Sequence, residues 1–503
     1  QVQQTDSTVI QPIGRDEPPP LSFAQQRLWF IDQLEPGSAL YNIPMQIRLT
    51  GSLHVAALEK SFDCLIQRHE SLRTTFASLA DEPIQVIHPA AGFSLSVVTV
   101  DDEPAAQQHG QVEASTAFDL HAGPLLRVEL LKLAEDDHLL LQTMHHSISD
   151  GWSLVVIIKE LTLAYTAYVQ GIEPNLPELP IQYADFAVWQ RDYLRGERLD
   201  QQLTYWREQL TGAPALLELP TDRPRPNEPS YQGAQHLFHL PKELSHQLQQ
   251  IAQAQDATLF MVVLAAFNIL LARYSRQNDI VIGTPIANRN RAEIEGLIGF
   301  FVNTLVLRTE LDDSLTFNTL LAQVRQTTLA AYEHQDVPFE QLVDALEVER
   351  SLSHSPLFQV MLVLQNNPLD DFQLPNLTAT FPPVEFPLAK FDLTLNLLED
   401  PAGLVGVFEY RTDLFEAATI ERMANHFAVL LKGMVTQPDQ PVLQLPMLTE
   451  AEYQQIVHEW NDTAVDFGTP QTIHALFEQQ VARTPDAVAL VFAEQQLSYA
   501  ELN

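Results

Sequence analysis

Cysteine is almost absent from this sequence of 503 residues, since Cys64 is the only one. A single thiol cannot form an intrachain disulfide, which is typical of proteins that work in a reducing cytosol. Cys64 lies in the apolar-periodic stretch from Val55 to Ile66, and this pattern favours a buried core thiol over a nucleophile. The sequence therefore predicts a cytoplasmic protein without disulfide or thiol chemistry.

Basic residues are also few, because 28 lysines and arginines stand against 65 aspartates and glutamates, for a formal net charge of −37. A field of that sign repels phosphate backbones and anionic lipid surfaces, so we expect neither nucleic acid nor a membrane as a partner. Long hydrophobic runs are missing as well. The longest apolar helix that the pattern predicts, Leu259 to Tyr274, contains Asn268 and Arg273, which argues against a membrane span.

What the sequence does have is enough apolar material for more than one core, at 46% hydrophobic and 18% charged residues. Local patterns divide the chain into a polar N-terminal linker that ends in three prolines, two lobes that each alternate strands and helices, and a last segment of different character. The predicted boundaries are 1–19, 20–180, 181–442 and 443–503.

The most informative stretch covers residues 144–153. The adjacent histidines His145 and His146 follow an apolar run that predicts a buried strand, and apolar positions at helical spacing after Ser153 predict a helix capped by that serine. A histidine at the end of a buried strand, in a tight turn with Gly151, is held still and has a ring nitrogen free to reach into a cavity. The pattern predicts an acyl-transfer site.

The motif His-His-x-x-x-Asp-Gly in this stretch resembles that of the condensation domains of non-ribosomal peptide synthetases, within the chloramphenicol-acetyltransferase-like superfamily. Further blocks resemble the same family in the same order, over roughly residues 20–445. They are Leu21–Phe30, Arg68–Phe76, Tyr183–Gln190, Ile298–Thr304, His334–Glu340 and, more loosely, Arg350–Leu357.

The resemblance implies an α/β fold of two chloramphenicol-acetyltransferase-like lobes in a V shape, with the active site in a tunnel at their interface. It also implies a peptide-bond-forming acyltransferase, in which the α-amine of an acceptor aminoacyl thioester attacks a donor aminoacyl or peptidyl thioester. Both substrates would be carried on 4′-phosphopantetheine arms of upstream and downstream peptidyl carrier protein domains, so we expect no bound cofactor and no metal. The blocks Ser22–Trp29 and Ser147–Ser153 look most like the subtype that accepts an L-configured donor.

Five residues receive roles at the predicted site. His146 is expected to remove a proton from the attacking amine or to position that amine, and both alternatives stay open. Gly151 is expected to permit the turn and to bring a backbone N–H near the oxyanion. His145 points the opposite way along the strand and is given a structural role. Asp150 either orients the catalytic imidazole as in a triad or forms a salt bridge, which the resemblance favours, with Arg289 as the partner.

Four other residues are candidate contacts to substrate in the tunnel. They are Ser149, Trp152, Asn303 and Arg27. For Trp152, Asn303 and Arg27, packing or a buried polar network is the more common role of such residues.

The last segment, 443–503, resembles the start of an adenylation domain in the blocks Trp460–Ala464, Thr472–Phe477 and Leu497–Leu502. The phosphate loop and substrate pocket of such a domain lie further downstream, so we expect this segment neither to bind ATP productively nor to activate an amino acid. The resemblance implies a downstream adenylation domain as a partner in the same chain.

Two alternatives compete with peptide bond formation. An epimerisation domain shares the fold and both histidines, although the adenylation-like segment that follows argues against it. A silent platform that only docks carriers or recruits other enzymes is the non-enzymatic alternative, and the intact motif argues against that.

Overall fold

The computed structural model describes residues 9–348, 351, 353–365, 372–384, 387–466 and 472–503. The chain divides into two compact units, Gln1–Met447 and Leu448–Asn503. The sequence predicts the start of the last segment at 443, a few residues before this division. Two residues of the block Arg350–Leu357, Arg350 and Leu352, lie outside the described residues, as do 1–8 of the predicted linker.

Helices in the first unit cover much of the chain on both sides of the predicted site. They are α1 (Phe23–Leu34), α2 (Val55–Arg68), α3 (Glu103–Ser115), α4 (Gly151–Val169), α5 (Tyr183–Tyr193), α6 (Glu197–Leu210), α7 (Lys242–Ala254), α8 (Leu259–Ser275), α9 (Ala292–Glu295), α10 (Phe317–Glu333), α11 (Phe339–Ala345) and α12 (Ala417–Thr436).

The strands of the first unit form two larger sheets and one hairpin. They are β1 (Asn42–Gly51), β2 (Thr74–Leu79), β3 (Glu82–Ile87), β4 (Ser96–Thr99), β5 (Leu126–Ala134), β6 (Asp137–His145), β7 (Gly233–Pro241), β8 (Asp279–Ile286), β9 (Asn303–Glu310), β10 (Val360–Gln365), β11 (Leu377–Thr380), β12 (Leu393–Asp400) and β13 (Gly403–Arg411). The hairpin pairs β2 with β3.

The first sheet has the strand order β11-β1-β6-β5-β4 and places the predicted site at one end of its central strand, β6. Because successive side chains of a strand point to opposite faces, Leu140 enters the main core beneath α2 and α4, whereas Leu139 and Leu141 enter a smaller core with Ala106 of α3. With both faces covered, β6 is buried over nearly its whole length. The strand thus gives the site a rigid support.

The second sheet has the order β7-β13-β12-β10-β8-β9, in which β12, β10 and β8 run parallel and the other pairs are antiparallel. Among the helices that pack on it, α8 is buried continuously from Met261 to Ala272, as expected of a helix that is apolar all round. Another small core joins α1, α5 and the connection between β8 and β9, through residues such as Leu28, Tyr183 and Phe301.

One strand of the first sheet comes from the segment that the sequence assigns to the second lobe. Strand β11 pairs antiparallel with β1, from Arg48 opposite Thr380 to Gly51 opposite Leu377. An unpaired β1 edge would leave its backbone N–H and C=O groups open, and this crossing strand covers part of that edge. The contiguous range 181–442 therefore does not coincide with a single sheet.

Helix α4 corrects two expectations. Its N-cap is Asp150 and not Ser153, because the Asp150 carboxylate accepts the N–H of Ser153 and the helix starts at Gly151. It is also long and apolar enough to span a membrane by length and composition, contrary to the expectation that no run is, and the bent pair α7 and α8 passes the same test jointly. Half of α4 is buried in the first unit, which is the environment of a core helix.

The second unit is small. Its elements are α13 (Glu450–Tyr453), a π-helical turn (Gln454–Glu459), α14 (Ile473–Arg483), β14 (Val488–Phe492), β15 (Gln495–Ser498) and α15 (Tyr499–Leu502), and β14 and β15 pair antiparallel.

Candidate active site

The two histidines lie where β6 ends and a short 3₁₀ turn, His146–Ile148, begins. Both backbone N–H groups are held by the flanking chain: that of His145 donates to the C=O of Leu125 at 3.0 Å and that of His146 to the C=O of Tyr41 at 2.8 Å. The backbone of this pair is therefore fixed from both sides by the residues that lead into β5 and β1.

The imidazole of His146 is oriented by its own turn. Its Nδ1 atom lies 2.9 Å from the carbonyl oxygen of Ser149, which can only accept, so Nδ1 carries the proton. In the neutral ring the other nitrogen, Nε2, is then the atom with a free lone pair. The ring remains partly exposed and packs against the ring of Phe300, with centroids 4.6 Å apart.

Burial and nearby positive charges keep the imidazole of His146 neutral. Burial, and next to it the positive charge of Lys390, lowers the pKa of His146 to about 3, and Arg27 acts in the same direction. At neutral pH the ring therefore offers an acceptor and not a cation.

His145 points into the first core. Its Nδ1 atom accepts the backbone N–H of Ser147 at 3.2 Å and lies 2.8 Å from the hydroxyl of the same residue. The rings of Tyr41 and Phe118 approach it edge-on, and the residue is 5% exposed. Burial, followed by the charges of His146 and Lys390, lowers the pKa of His145 to about 3. These contacts favour the structural role predicted for it.

Asp150 is 1% exposed and its carboxylate is surrounded by donors. One oxygen accepts the backbone N–H and lies 2.8 Å from the hydroxyl of Ser153, and the other accepts the N–H of Phe301 at 2.9 Å. The guanidinium of Arg289 lies 3.1 Å away and forms the ion pair that the resemblance implies. Because Nδ1 of His146 is bound to the Ser149 carbonyl, the triad alternative has no hydrogen bond to support it.

Arg289 connects the turn to the β8–β9 connection, residues 287–302. Its Nη1 atom donates to the carbonyls of Ile294 and Leu297, both at 2.7 Å, and its guanidinium lies 4.1 Å from the ring centroid of Phe301. The ion pair therefore fixes the connection that carries Phe300 to the ring of His146.

The structure gives no conformational reason for a glycine at position 151. Its φ is outside the left-handed region, and an added Cβ would meet no atom within 4 Å. The turn therefore does not require glycine for its backbone conformation. Gly151 is exposed at the first position of α4, where backbone N–H groups lack partners within the helix.

Two of the four candidate tunnel residues have their polar groups engaged with the protein backbone. The indole N–H of Trp152 donates to the carbonyl of Glu295 at 3.0 Å. The amide of Asn303 donates to the carbonyls of Gln335 and Val337 and accepts the N–H groups of Thr304 and Phe339. These contacts support the packing alternative for both side chains.

The other two candidates have different surroundings. The hydroxyl of Ser149 is fully buried and has no hydrogen-bond partner within the part of the chain that the structure describes. Arg27 pairs with Glu340 at 2.9 Å and lies over the ring of Phe339, which links α1 to α11. Whether either side chain contacts substrate stays a prediction.

Three residues at this site have no role in the sequence-based prediction. Phe300 lies inside the block Ile298–Thr304, so the resemblance marked its segment but not its ring. Tyr41 and Lys390 lie outside every block, and no local pattern singles out either of them.

Comparisons with known proteins place the whole chain in a family. The sequence model of the family described as "Condensation domain" matches residues 16–457. Linear gramicidin synthase subunits C and B of Brevibacillus parabrevis are each 49% identical to the chain, over 505 and 515 residues that cover 99% of it. The chain spans only 6% and 10% of the length of these two relatives.

Solved structures of similar fold include the X-domain from teicoplanin biosynthesis, with a TM-score of 0.81 and 31% identity over 88% of this chain and 100% of that chain. A second structure, the complex of that X-domain with OxyB, matches with a TM-score of 0.80 and 30% identity over 88% of this chain and 98% of that chain. The α/β fold class predicted from the resemblance is confirmed.

Proposed function

Because this chain belongs to the condensation-domain family of non-ribosomal peptide synthetases, we propose that it forms a peptide bond between two carrier-bound substrates. The α-amine of an acceptor aminoacyl thioester attacks the carbonyl of a donor aminoacyl or peptidyl thioester. The observation that carries the proposal is the neutral imidazole of His146, whose Nδ1–H is bound to Ser149 so that Nε2 is left as an acceptor.

The low pKa of His146 favours one of the two mechanistic alternatives. A ring with a pKa of about 3 is a weak base, so its contribution is to accept a hydrogen bond from the amine N–H and to orient the nitrogen lone pair towards the thioester. The proton leaves the nitrogen as the thiolate departs. Positioning two tethered substrates is able to supply more rate than proton removal alone.

Negative charge develops on the donor carbonyl oxygen during this attack. The N–H of Gly151, at the N-terminus of α4, is one proposed donor to that oxygen, since N–H groups of a first helical turn have no partner within the helix.

The partners we propose are peptidyl carrier protein domains upstream and downstream, whose 4′-phosphopantetheine arms bring both thioesters through a tunnel to His146. A net charge of −37 disfavours tight binding of acidic carriers, so docking relies on tethering to raise the effective concentration. In a longer chain, an adenylation domain would continue from residues 443–503. A cytoplasmic location remains a prediction.

The L-donor subtype is also part of this proposal, and its support is the resemblance of Ser22–Trp29 and Ser147–Ser153 to that subtype. The platform alternative has an observation in its favour, because one similar structure is a complex of an X-domain with OxyB. Epimerisation has no such support.

One assay separates the three functions. The protein is mixed with a donor carrier and an acceptor carrier, each loaded through phosphopantetheine, and acceptor-bound product is analysed by mass and by chirality. Dipeptide with retained donor configuration supports the proposal, and a higher yield from L- than from D-configured donor supports the subtype. Inversion of the α-carbon on a single carrier would establish epimerisation. The absence of any product, with carriers still bound, would establish a platform.

A further inference from the structure

Lys390 lies on a backbone segment that is held on both sides. The preceding residue, Ala389, donates its N–H to the carbonyl of Tyr231 at 2.9 Å, and Asp392 donates to the carbonyl of Gln359 at 3.0 Å. The Asp392 carboxylate is also bound by Arg225 and Arg411, and it is 4% exposed. This segment leads into β12 of the second sheet, so Lys390 extends from a fixed support.

The ammonium of Lys390 reaches the first sheet. Its Nζ atom lies 4.7 Å from the ring centroid of Tyr41, and the carbonyl of that same tyrosine accepts the N–H of His146. Its positive charge helps to lower the pKa values of both His145 and His146. Lys390 therefore brings a cation from the segment before β12 close enough to the His146 imidazole for its charge to act on that ring.

We propose that Lys390 is a catalytic residue that stabilises the negative charge on the donor carbonyl oxygen during acyl transfer. This inference rests on the proposed function. The amine nitrogen forms a bond to the carbonyl carbon, the π electron pair moves onto the oxygen, and the carbon–sulfur bond then breaks as the oxygen pair returns. The proton lost from nitrogen goes to the departing sulfur, which gives an amide and a thiol. Lys390 stays protonated throughout.

Lys390 is better suited than Arg27 to stabilise the charge on the carbonyl oxygen. Arg27 is bound to the carboxylate of Glu340, on α11, and its charge is offset by direct contact. Burial lowers the pKa of Lys390 to about 8, and the carboxylate of Glu409 from β13 opposes this shift without cancelling it. A partly desolvated ammonium responds strongly to a new negative charge nearby.

The first test compares Lys390→Met and Lys390→Arg with the wild type in the two-carrier dipeptide assay. Lys432→Met is the matched control, because it removes a lysine from the exposed side of α12. We expect Lys390→Met to lower kcat by about 10²–10³-fold with a nearly unchanged KM, as when one oxyanion donor is lost. Lys390→Arg should keep most of the activity, and the control should equal the wild type.

Thermal melting of each variant accompanies these rates. A Lys390→Met protein that melts like the wild type and keeps its kcat within a few-fold overturns the inference. If Lys390→Met does not fold, the comparison of the pH dependence of kcat between the wild type and a folded Lys390→Arg still tests the inference. Failure of the wild type to form dipeptide would overturn the proposed function itself, which is a separate result.

The second test is the pH dependence. A lysine with a pKa of about 8 carries its charge below that pH and loses it above, so wild-type kcat should fall relative to that of Lys390→Arg as pH rises through about 8. The titratable groups that interact with this ammonium are Tyr41 before β1, His145 at the end of β6, His146 in the 3₁₀ turn, Arg27 from α1 and Glu409 from β13. None of them is replaced in the comparison, so their titrations appear in both profiles. Parallel profiles from pH 7 to 10 would overturn the inference.

Discussion

The turn between β6 and α4 has two sides that differ in almost every physical respect. On the buried side, His145, Asp150 and Ser153 are nearly inaccessible and bind backbone groups or Arg289. On the open side, His146 is partly exposed and Gly151 is exposed, with room for an added Cβ. Residues a few positions apart therefore have different roles: those on the buried side fix the position of the turn, and those on the open side are available for chemistry.

The largest expected effect tests the open side. His146→Ala should lower the rate of dipeptide formation by at least about 10²-fold, because no acceptor then orients the amine towards the thioester. The melting temperature should stay close to that of the wild type. The matched control is His246→Ala, which removes an exposed histidine from α7.

If His146→Ala gave a wild-type rate, the open side would have no chemical role. If it lost rate and stability together, the division between the two sides would fail.

The next effect tests the buried side. Asp150→Ala should lower the free energy of unfolding by about 3–5 kcal/mol, because the guanidinium of Arg289 is left buried without its counter-charge. Arg289→Ala should cost a similar amount, and Asp150→Asn should be milder. Chemical denaturation of both single variants and the double variant measures the coupling.

A double variant that loses much less than the sum of the two single losses supports the ion pair. Additive losses would mean that the two residues act separately.

A smaller effect is expected at His145. His145→Ala should lower the free energy of unfolding by about 1–3 kcal/mol, since the Ser147 N–H and hydroxyl lose their acceptor inside the core. Its effect on the rate per folded molecule should be slight, which a rate normalised to the folded fraction measures. A fully stable but inactive His145→Ala protein would show that His145, and not His146, has the chemical role.

The same histidine contributes to acid sensitivity. Burial lowers the pKa of His145 from its usual value of about 6.5 to about 3. Between these two pH values the unfolded chain binds a proton at this residue that the folded chain does not. Stability from this residue is present above about pH 6.5 and is lost progressively as the pH falls towards about 3. His145→Asn cannot take up that proton and should show a shallower loss in urea titrations across this range.

The smallest effect is expected at Gly151. Gly151→Ala should raise the free energy of unfolding by about 0.4–1 kcal/mol, because alanine restricts the unfolded chain and its Cβ meets no atom here. The backbone N–H is unchanged, so the rate should be unchanged too. A stabilised variant with a much lower rate would show that substrate occupies the space beside Gly151.

Sequence predicted the part of this site that is local. The apolar run before His145 and the helical spacing after Ser153 were sufficient to place a strand, a turn and a helix, which the structure has as β6, a 3₁₀ turn and α4. The cap was misassigned because Asp150 and Ser153 are both good N-cap residues, and the carboxylate at the first of them accepts the N–H of the second.

The long-range part needed more than periodicity. Asp150 and Arg289 are 139 positions apart, and only the family resemblance suggested that they meet. Lys390 and Tyr41 are far apart in the sequence and no local pattern marks either of them, so residue spacing does not predict their contact. Helix α4 is apolar enough to span a membrane although Lys159 and Glu160 interrupt its apolar run, so a criterion of uninterrupted apolar runs does not detect it.

Strand β11 has a consequence for anyone who builds hybrid synthetases. Exchanging residues 181–442 between two relatives would also exchange the edge strand that pairs with β1 of the recipient. The graft would then have to match a foreign β1 in register and side-chain shape, and a mismatch would expose a strand edge that promotes aggregation. Crossover points that keep residues 377–380 with the recipient's first sheet should therefore give chimeras that aggregate less than those made by a single cut between the lobes.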